Sequence, residues 1–259
     1  MTTDHVRIEK ANKVLTLTLT RPEKKNALTR AMYKTLGDAI DGAADDPDVR
    51  CVLIQSEGDL FTAGNDLSDF ASENQKGSAT EATVRENPLL TALARAKTPL
   101  VAAVQGKAVG VGTTMLLHCD LVFVADDAQL TTPFVNLALV PEAASSLTLP
   151  ARIGHVRAFA MFVLGEPVDA QKAVAWGIAN EVVPRSELRA RARKAAEAVA
   201  SRPPAAVALT KALMRDPDGL KQRMGEEGVH FASQLRSPEA AEAFAAFAEK
   251  RAPNFDKVR

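Results

Sequence analysis

The sequence predicts an α/β fold with strands buried between layers, followed by a helical C-terminal part. Three observations carry this expectation. In the first half of the chain, short apolar runs alternate with helical runs, the order of strand–helix units. From Ala151 onward nearly every segment carries the i, i+3/i+4 spacing of amphipathic helices. The 259 residues are 46% hydrophobic and 25% charged, ordinary globular composition, and long enough to bury a core without a disulfide or metal staple.

Residues 14–20 (VLTLTLT) alternate apolar side chains with threonine, the two-residue period of a half-buried strand. Arg21-Pro22 breaks that strand. Thr29 caps a helix running toward Ala44, with Met32, Leu36, Ala39 and Ile40 on one stripe. Asp45-Asp46-Pro47-Asp48 ends it. Residues 49–55 read as an apolar strand, and Ser56-Glu57-Gly58-Asp59 as a turn. Residues 72–80 (SENQKGSAT) are polar and irregular and are expected to form a mobile loop. A helix ends near Ala96, and residues 100–104 and 121–124 read as short strands. Between them, the glycine-rich stretch 106–112 leads into a helix through Cys119. Further helices are expected at 156–164, 170–175, 186–200, 203–215, 220–235 and 238–251. Pro203 and Pro238 fall just inside helix starts, where proline is tolerated. The boundary falls near 190–200, giving an α/β core over 1–195 and a helical module over 196–259.

Composition excludes several classes of function. Lys+Arg and Asp+Glu both number 32, so no global basic field gathers nucleic acid or an anionic membrane. Cys51 and Cys119 sit in apolar runs and are expected to be reduced core thiols. The histidines at 5, 118, 155 and 230 are far apart and have no metal-ligand spacing. The first ten residues, MTTDHVRIEK, lack the apolar core of a signal peptide. No apolar stretch approaches the ~18–20 residues that span a bilayer. The C-terminal FDKVR is not a peroxisomal tripeptide of the SKL type. A soluble cytoplasmic protein is expected.

Three short segments carry candidate chemistry. Gly106-Lys107-Ala108-Val109-Gly110-Val111-Gly112 fits neither GxxxxGK[ST] nor GxGxxG, which argues against a nucleotide phosphate cradle. It reads either as a plain tight turn or as a turn that aims backbone N–H donors from a helix N-terminus at an anion. Phe61-Thr62-Ala63-Gly64-Asn65-Asp66-Leu67 is a second turn with small central residues. Asp66 alone reads as a helix N-cap, and the Gly64-Asn65 step can present another free N–H. Glu142 follows an apolar segment (134–140) and is expected to open a helix. It is either a first-turn glutamate favoured by the helix dipole or a carboxylate in an apolar wall, its pKa raised for proton transfer. Ser145 and Ser146 have no histidine or lysine motif beside them to make a nucleophile.

With these segments in this order, the chain resembles the crotonase (enoyl-CoA hydratase/isomerase) superfamily along nearly its whole length. The matching stretches are RPEKKNAL at 21–28, FTAGNDL at 61–67, PLVAAVQGKAVGVG at 99–112, HCDLVFVADDAQLTTP at 118–133, and Phe247 with Lys250-Arg251-Ala252-Pro253. The resemblance implies a ClpP/crotonase-like spiral of ββα units with a C-terminal helical trimerisation module. It also implies a homotrimer or dimer of trimers. The substrate it implies is an acyl-CoA thioester, held with its oxygen between the backbone N–H groups of Asn65 and Val111, the latter between Gly110 and Gly112. The CoA would lie along Lys24, Asn26, Ala27 and Leu28 and along Ala63, Asn65, Asp66 and Leu67. No cofactor is implied beyond the coenzyme A of the substrate itself, and neither nucleic acid nor membrane is expected as a partner. Typical hydratases of the family carry two glutamates. At those positions this chain has Thr114 and Phe134. Glu142 instead falls where the peroxisomal-type Δ3,Δ2-enoyl-CoA isomerases place their single base. The resemblance therefore implies an isomerase, with a hydratase or another crotonase lyase using Glu142 as the alternative. A non-catalytic or RNA-binding member is the remaining class.

Overall fold

The computed structural model describes residues 2–3, 5–66 and 87–258. The loop expected at 72–80, and Leu67, lie outside the described residues. The chain opens with three strands, β1 (Thr2–Thr3), β2 (Val6–Ala11) and β3 (Val14–Leu19), paired antiparallel. α1 (Arg30–Gly42) starts at Thr29, whose hydroxyl accepts from the Met32 N–H, and buries Met32, Tyr33, Leu36 and Ile40. β4 (Cys51–Ser56), α2 (Pro88–Arg95), β5 (Leu100–Val104) and β6 (Lys107–Val109) follow. Next come α3 (Val111–Thr114), β7 (Leu121–Ala125), β8 (Gln129–Thr131), α4 (Ser145–Ile153) and α5 (His155–Phe159). The chain then adds β9 (Val168–Asp169), α6 (Ala170–Ala175) and β10 (Glu181–Val183). It closes with α7 (Leu188–Ala200), α8 (Pro204–Leu213), α9 (Pro217–Leu235) and α10 (Pro238–Ala248).

The larger sheet has the order β1-β2-β3-β4-β5-β7-β10 and is parallel from β3 onward. Its central strands are apolar on both faces, as a sheet covered on both sides requires. Val52, Ile54, Leu100, Ala102 and Val104 join the core formed with α1 and α2. Their neighbours Cys51, Leu53, Val101 and Ala103 face the other way, into a second core closed by Leu188, Ala192, Ala195 and Ala196 of α7. The expected division at residue 195 falls inside α7, which packs on the sheet. A smaller sheet, β6-β8-β9, stands beside the site.

Several local expectations are corrected. The stretch after Gly106 is not one helix. It is β6, a turn at Gly110, the single turn α3, and a 3-10 turn over Met115–His118. Residues 156–164 divide into α5 and a π turn over Ala160–Leu164. Glu142 does not open a helix: α4 begins at Ser145, after Ala143 and Ala144 take left-handed backbone angles. Among the described residues, no helix is long and apolar enough to cross a membrane.

Candidate active site

Two turns, at Gly64 and Gly110, are stitched to each other by the main chain. Thr62 N–H donates to Lys107 O at 3.1 Å, and Val109 N–H to Thr62 O at 3.0 Å. Gly64 has φ +89°, and a Cβ there would sit 2.8 Å from Val109 O. Gly110 has φ +56°, the conformation glycine adopts without strain. Thr113, fully buried, donates its hydroxyl to Ala108 O at 2.7 Å and accepts the Thr131 N–H at 3.2 Å, which locks α3 onto the small sheet.

The consequence is a pair of unused donors. Leu28 N–H goes to Gly64 O and Asp66 N–H to Leu28 O, so the bridge between Leu28 and Asn65 leaves the Asn65 N–H out. Val111 is the first residue of α3, where helix N–H groups have no intrahelical acceptor. Among the described residues neither N–H has an acceptor. The turn therefore does more than reverse the chain: it presents donors for developing negative charge.

A cavity of about 410 Å³ lies against both turns. Ala63, Gly64, Asn65 and Gly110 line it on one side, and Phe134, Leu137, Leu139, Phe231 and Phe247 make its apolar wall. Phe134 is buried and packs on Phe162, with ring centroids 6.2 Å apart. Thr114, in contrast, is buried, and its hydroxyl leans on Val111 O.

Glu142 stands at the end of the segment that supplies Phe134, Leu137 and Leu139. The residue is half-buried, but its Oε1 is enclosed and, among the described residues, has no hydrogen-bond partner. Burial, and then the nearby charge of Glu227, push its carboxyl up to about 8. Tyr33 of α1 connects it to the first turn. Burial, and then the charge of Glu142, hold the Tyr33 phenol well above its ordinary range, so it remains a donor and gives its hydrogen bond to Asn65 Oδ1. Behind Glu142, the His118 ring meets Ala143 O at 2.8 Å through Nε2 and Arg215 at 3.1 Å through Nδ1. Burial pushes His118 down to about 4, so it is neutral. Arg215 is a constant donor, which assigns the proton to Nε2 and the lone pair to Nδ1.

Ala63, Asn65 and Gly110 line the cavity together, Val111 follows Gly110 at the start of α3, and Tyr33 lies between Asn65 and Glu142. Lys24 is exposed and Ala27 half-buried on the adjoining loop. Asn26 and Leu28 are buried instead. The Asn26 amide is used within its own loop: Oδ1 accepts the Arg21 N–H at 2.9 Å, and Nδ2 donates to Glu57 O at 2.8 Å. Asp66, which alone reads as a helix cap, takes Arg21 Nη1 at 2.6 Å and ties the two loops together. Sequence reasoning missed Tyr33, His118 and Glu227. Tyr33 and Glu227 occupy ordinary positions on helical stripes, and His118 had no ligand or nucleophile beside it in sequence.

Comparisons with known proteins agree with this geometry. Residues 9–258 match the model of the family described as enoyl-CoA hydratase/isomerase. The chain is 31% identical to the 1,2-epoxyphenylacetyl-CoA isomerase of Escherichia coli (strain K12), over 93% of this chain and 94% of that protein. It is 34% identical to enoyl-CoA delta isomerase 2 of Rattus norvegicus, over 77% of this chain and 51% of that one. The crystal structure of an enoyl-CoA hydratase/isomerase from Pseudoalteromonas atlantica T6c superposes with a TM-score of 0.90 at 42% identity, covering 97% of this chain and 100% of that one. Two stitched turns with free donors, an α/β spiral and a family match along almost the whole chain lead to one conclusion: the chain belongs to the enoyl-CoA hydratase/isomerase family and has the crotonase fold.

Proposed function

We propose that the protein moves the double bond of a 3-enoyl-CoA to the 2-position. The observation that carries this reading is the environment of Glu142. It is a carboxyl raised to about 8, joined to the Asn65 turn through Tyr33, while Thr114 is buried away and Phe134 presents only a hydrocarbon ring. The Glu142 carboxylate removes a proton from C2. The C2–H electron pair becomes the C1=C2 bond as the thioester C=O pair moves onto oxygen, and the dienolate oxygen lies between the Asn65 and Val111 N–H groups. Each donor is worth about 3 kcal/mol to that charge. The C=O then re-forms, the C1=C2 pair becomes C2=C3, and the C3=C4 pair takes the proton back from the Glu142 acid at C4. No electron leaves the substrate, so the reaction needs no redox cofactor. The CoA lies along the loops at Lys24, Ala27, Ala63 and Asp66.

Hydration asks for more, since one group must activate a water and another must protonate the α-carbon. With Glu142 as the base, isomerisation of a 3-enoyl-CoA should be far faster than hydration of a 2-enoyl-CoA of equal length. Product analysis with the two thioesters offered separately tests this. Rapid hydration of crotonyl-CoA with the 3-enoyl-CoA left untouched would replace the isomerase reading with the hydratase one. Because the base must start ionised, kcat/KM should rise with pH toward a plateau above about 8.

We further propose that copies of the chain associate through closed rotational symmetry. Leu209, Leu213 and Met214 on and just after α8 are exposed, and apolar surface of this kind is normally buried between subunits.

A further inference from the structure

The buried stripe of α9 contains Leu220, Glu227 and Leu235. A carboxylate in the middle of such a stripe is costly unless it is fully partnered. Glu227 is 6% exposed, and both its oxygens are used. Oε2 accepts the Ala144 N–H at 2.6 Å, and Oε1 accepts the Ser146 N–H at 2.9 Å. These are N-terminal donors of α4, a helix with no side-chain cap from its own segment. The cap comes from more than eighty residues away.

What Glu227 grips is the turn that carries the base. Ala143 and Ala144 have φ of +63° and +53°, angles that an alanine keeps only where its surroundings hold it. His118 holds this turn from the core side, through Ala143 O, and Glu227 holds it from the C-terminal side. Glu142 is the residue immediately before. We propose that Glu227 is a positioning residue for the reaction: it fixes the Glu142 turn from the C-terminal helices and sets a negative charge behind that carboxylate.

The charge has a direction of effect. Among the described residues, the titratable groups facing Glu142 are Tyr33 from α1 and Glu227 from α9. Glu227 in turn faces Arg223, one turn earlier on α9, and Glu142. His118 is neutral. Burial raises the Glu227 carboxyl, but its two N–H donors act against that and favour its charged form, whereas Glu142 Oε1 has none among the described residues. A proton shared between the two carboxyls therefore resides on Glu142, and removing the charge at 227 lets Glu142 ionise at lower pH.

This inference rests on Glu142 being the base, so the test reads the carboxyl and the kinetics separately. Glu227→Gln and Glu227→Met both remove the charge, and the second leaves no amide hydrogen pointing at a backbone N–H. Glu142 is titrated in each by NMR of 13C-labelled glutamate carboxyls, with its signal assigned through Glu142→Gln. The rate of 3-enoyl-CoA isomerisation is followed over the same pH range. The expected result in both variants is a titration about one pH unit lower, with the limb of kcat/KM moving alongside it. Turnover should fall about tenfold or more as the turn loosens, with KM little changed. A Glu142 titration unmoved in both variants overturns the proposal and leaves Glu227 as a helix cap. A titration that moves while the kinetic limb stays supports the link to Glu142 and removes Glu142 itself from catalysis.

Discussion

At the scale of single residues, two titratable groups with enclosed polar atoms make opposite predictions about pH. Glu142 is raised from 4.5 to about 8 in the folded chain. Between those values the folded state holds a proton that the unfolded state has lost, so this residue's contribution to stability declines as pH rises through the window. Glu142→Gln does not titrate. Its melting temperature should gain on the wild type steadily from about pH 5 to 8, while its kcat falls at least about 100-fold, the scale for loss of a general base. His118 is lowered from 6.5 to about 4. There the unfolded chain binds the proton first, so stability is present above about pH 6.5 and is lost as pH falls toward 4. The full swing is roughly 3 kcal/mol. His118→Gln should show a flatter loss than wild type across that window in urea unfolding at stepped pH. Glu142 was legible in sequence because an apolar run leads straight into it. His118 was not, since its partners Ala143 and Arg215 lie 25 and 97 residues away.

At the scale of elements, the donor turns are the parts least able to accept a side chain. Gly64→Ala puts a methyl 2.8 Å from Val109 O at a φ of +89°. Gly110→Ala meets open space, with Phe134 at 3.9 Å as its nearest contact, but keeps a φ of +56°. Each should cost about 1–3 kcal/mol of stability, measurable by thermal unfolding. Gly64→Ala should also lose about 100-fold in turnover, because a displacement near 1 Å spoils the donors. Equal turnover in the two variants would contradict the close approach at Gly64. The glycines were visible in the sequence, and so was the helix cap at Thr29. Three short or polar strands were not. β6 and β8 are three residues each, and β2 carries Arg7, Glu9 and Lys10 among its six residues, so none of the three shows an apolar period long enough to read.

At the scale of the whole molecule, α8 is the outlying piece. Of its residues only Lys211 is buried, bonded to Asp120 Oδ2 at 2.7 Å and Thr98 O at 2.9 Å. Leu213 and Met214 are 89% and 79% exposed. Sedimentation at micromolar concentration should therefore show a species well above the 27.6 kDa of one chain. Leu213→Glu with Met214→Glu should move it toward that single-chain mass. A wild type that sediments only at the single-chain mass contradicts the expectation. Periodicity alone placed the C-terminal helices within a few residues. It could not show that Glu227 reaches across 83 residues to Ala144, because a helical stripe records burial and not the identity of the neighbour.

The stitched turns have a consequence for how such a protein can diversify. In the function proposed above they hold a thioester through main-chain hydrogens, which every residue but proline owns, so the seat of the ligand tolerates drift at 65 and 111. The proton-handling group hangs from a different segment, and Phe134 occupies a cavity wall where another side chain could stand. Reaction type and ligand type are thus inherited separately. A lineage can exchange the one by a single substitution on the wall while the other stays fixed by the backbone.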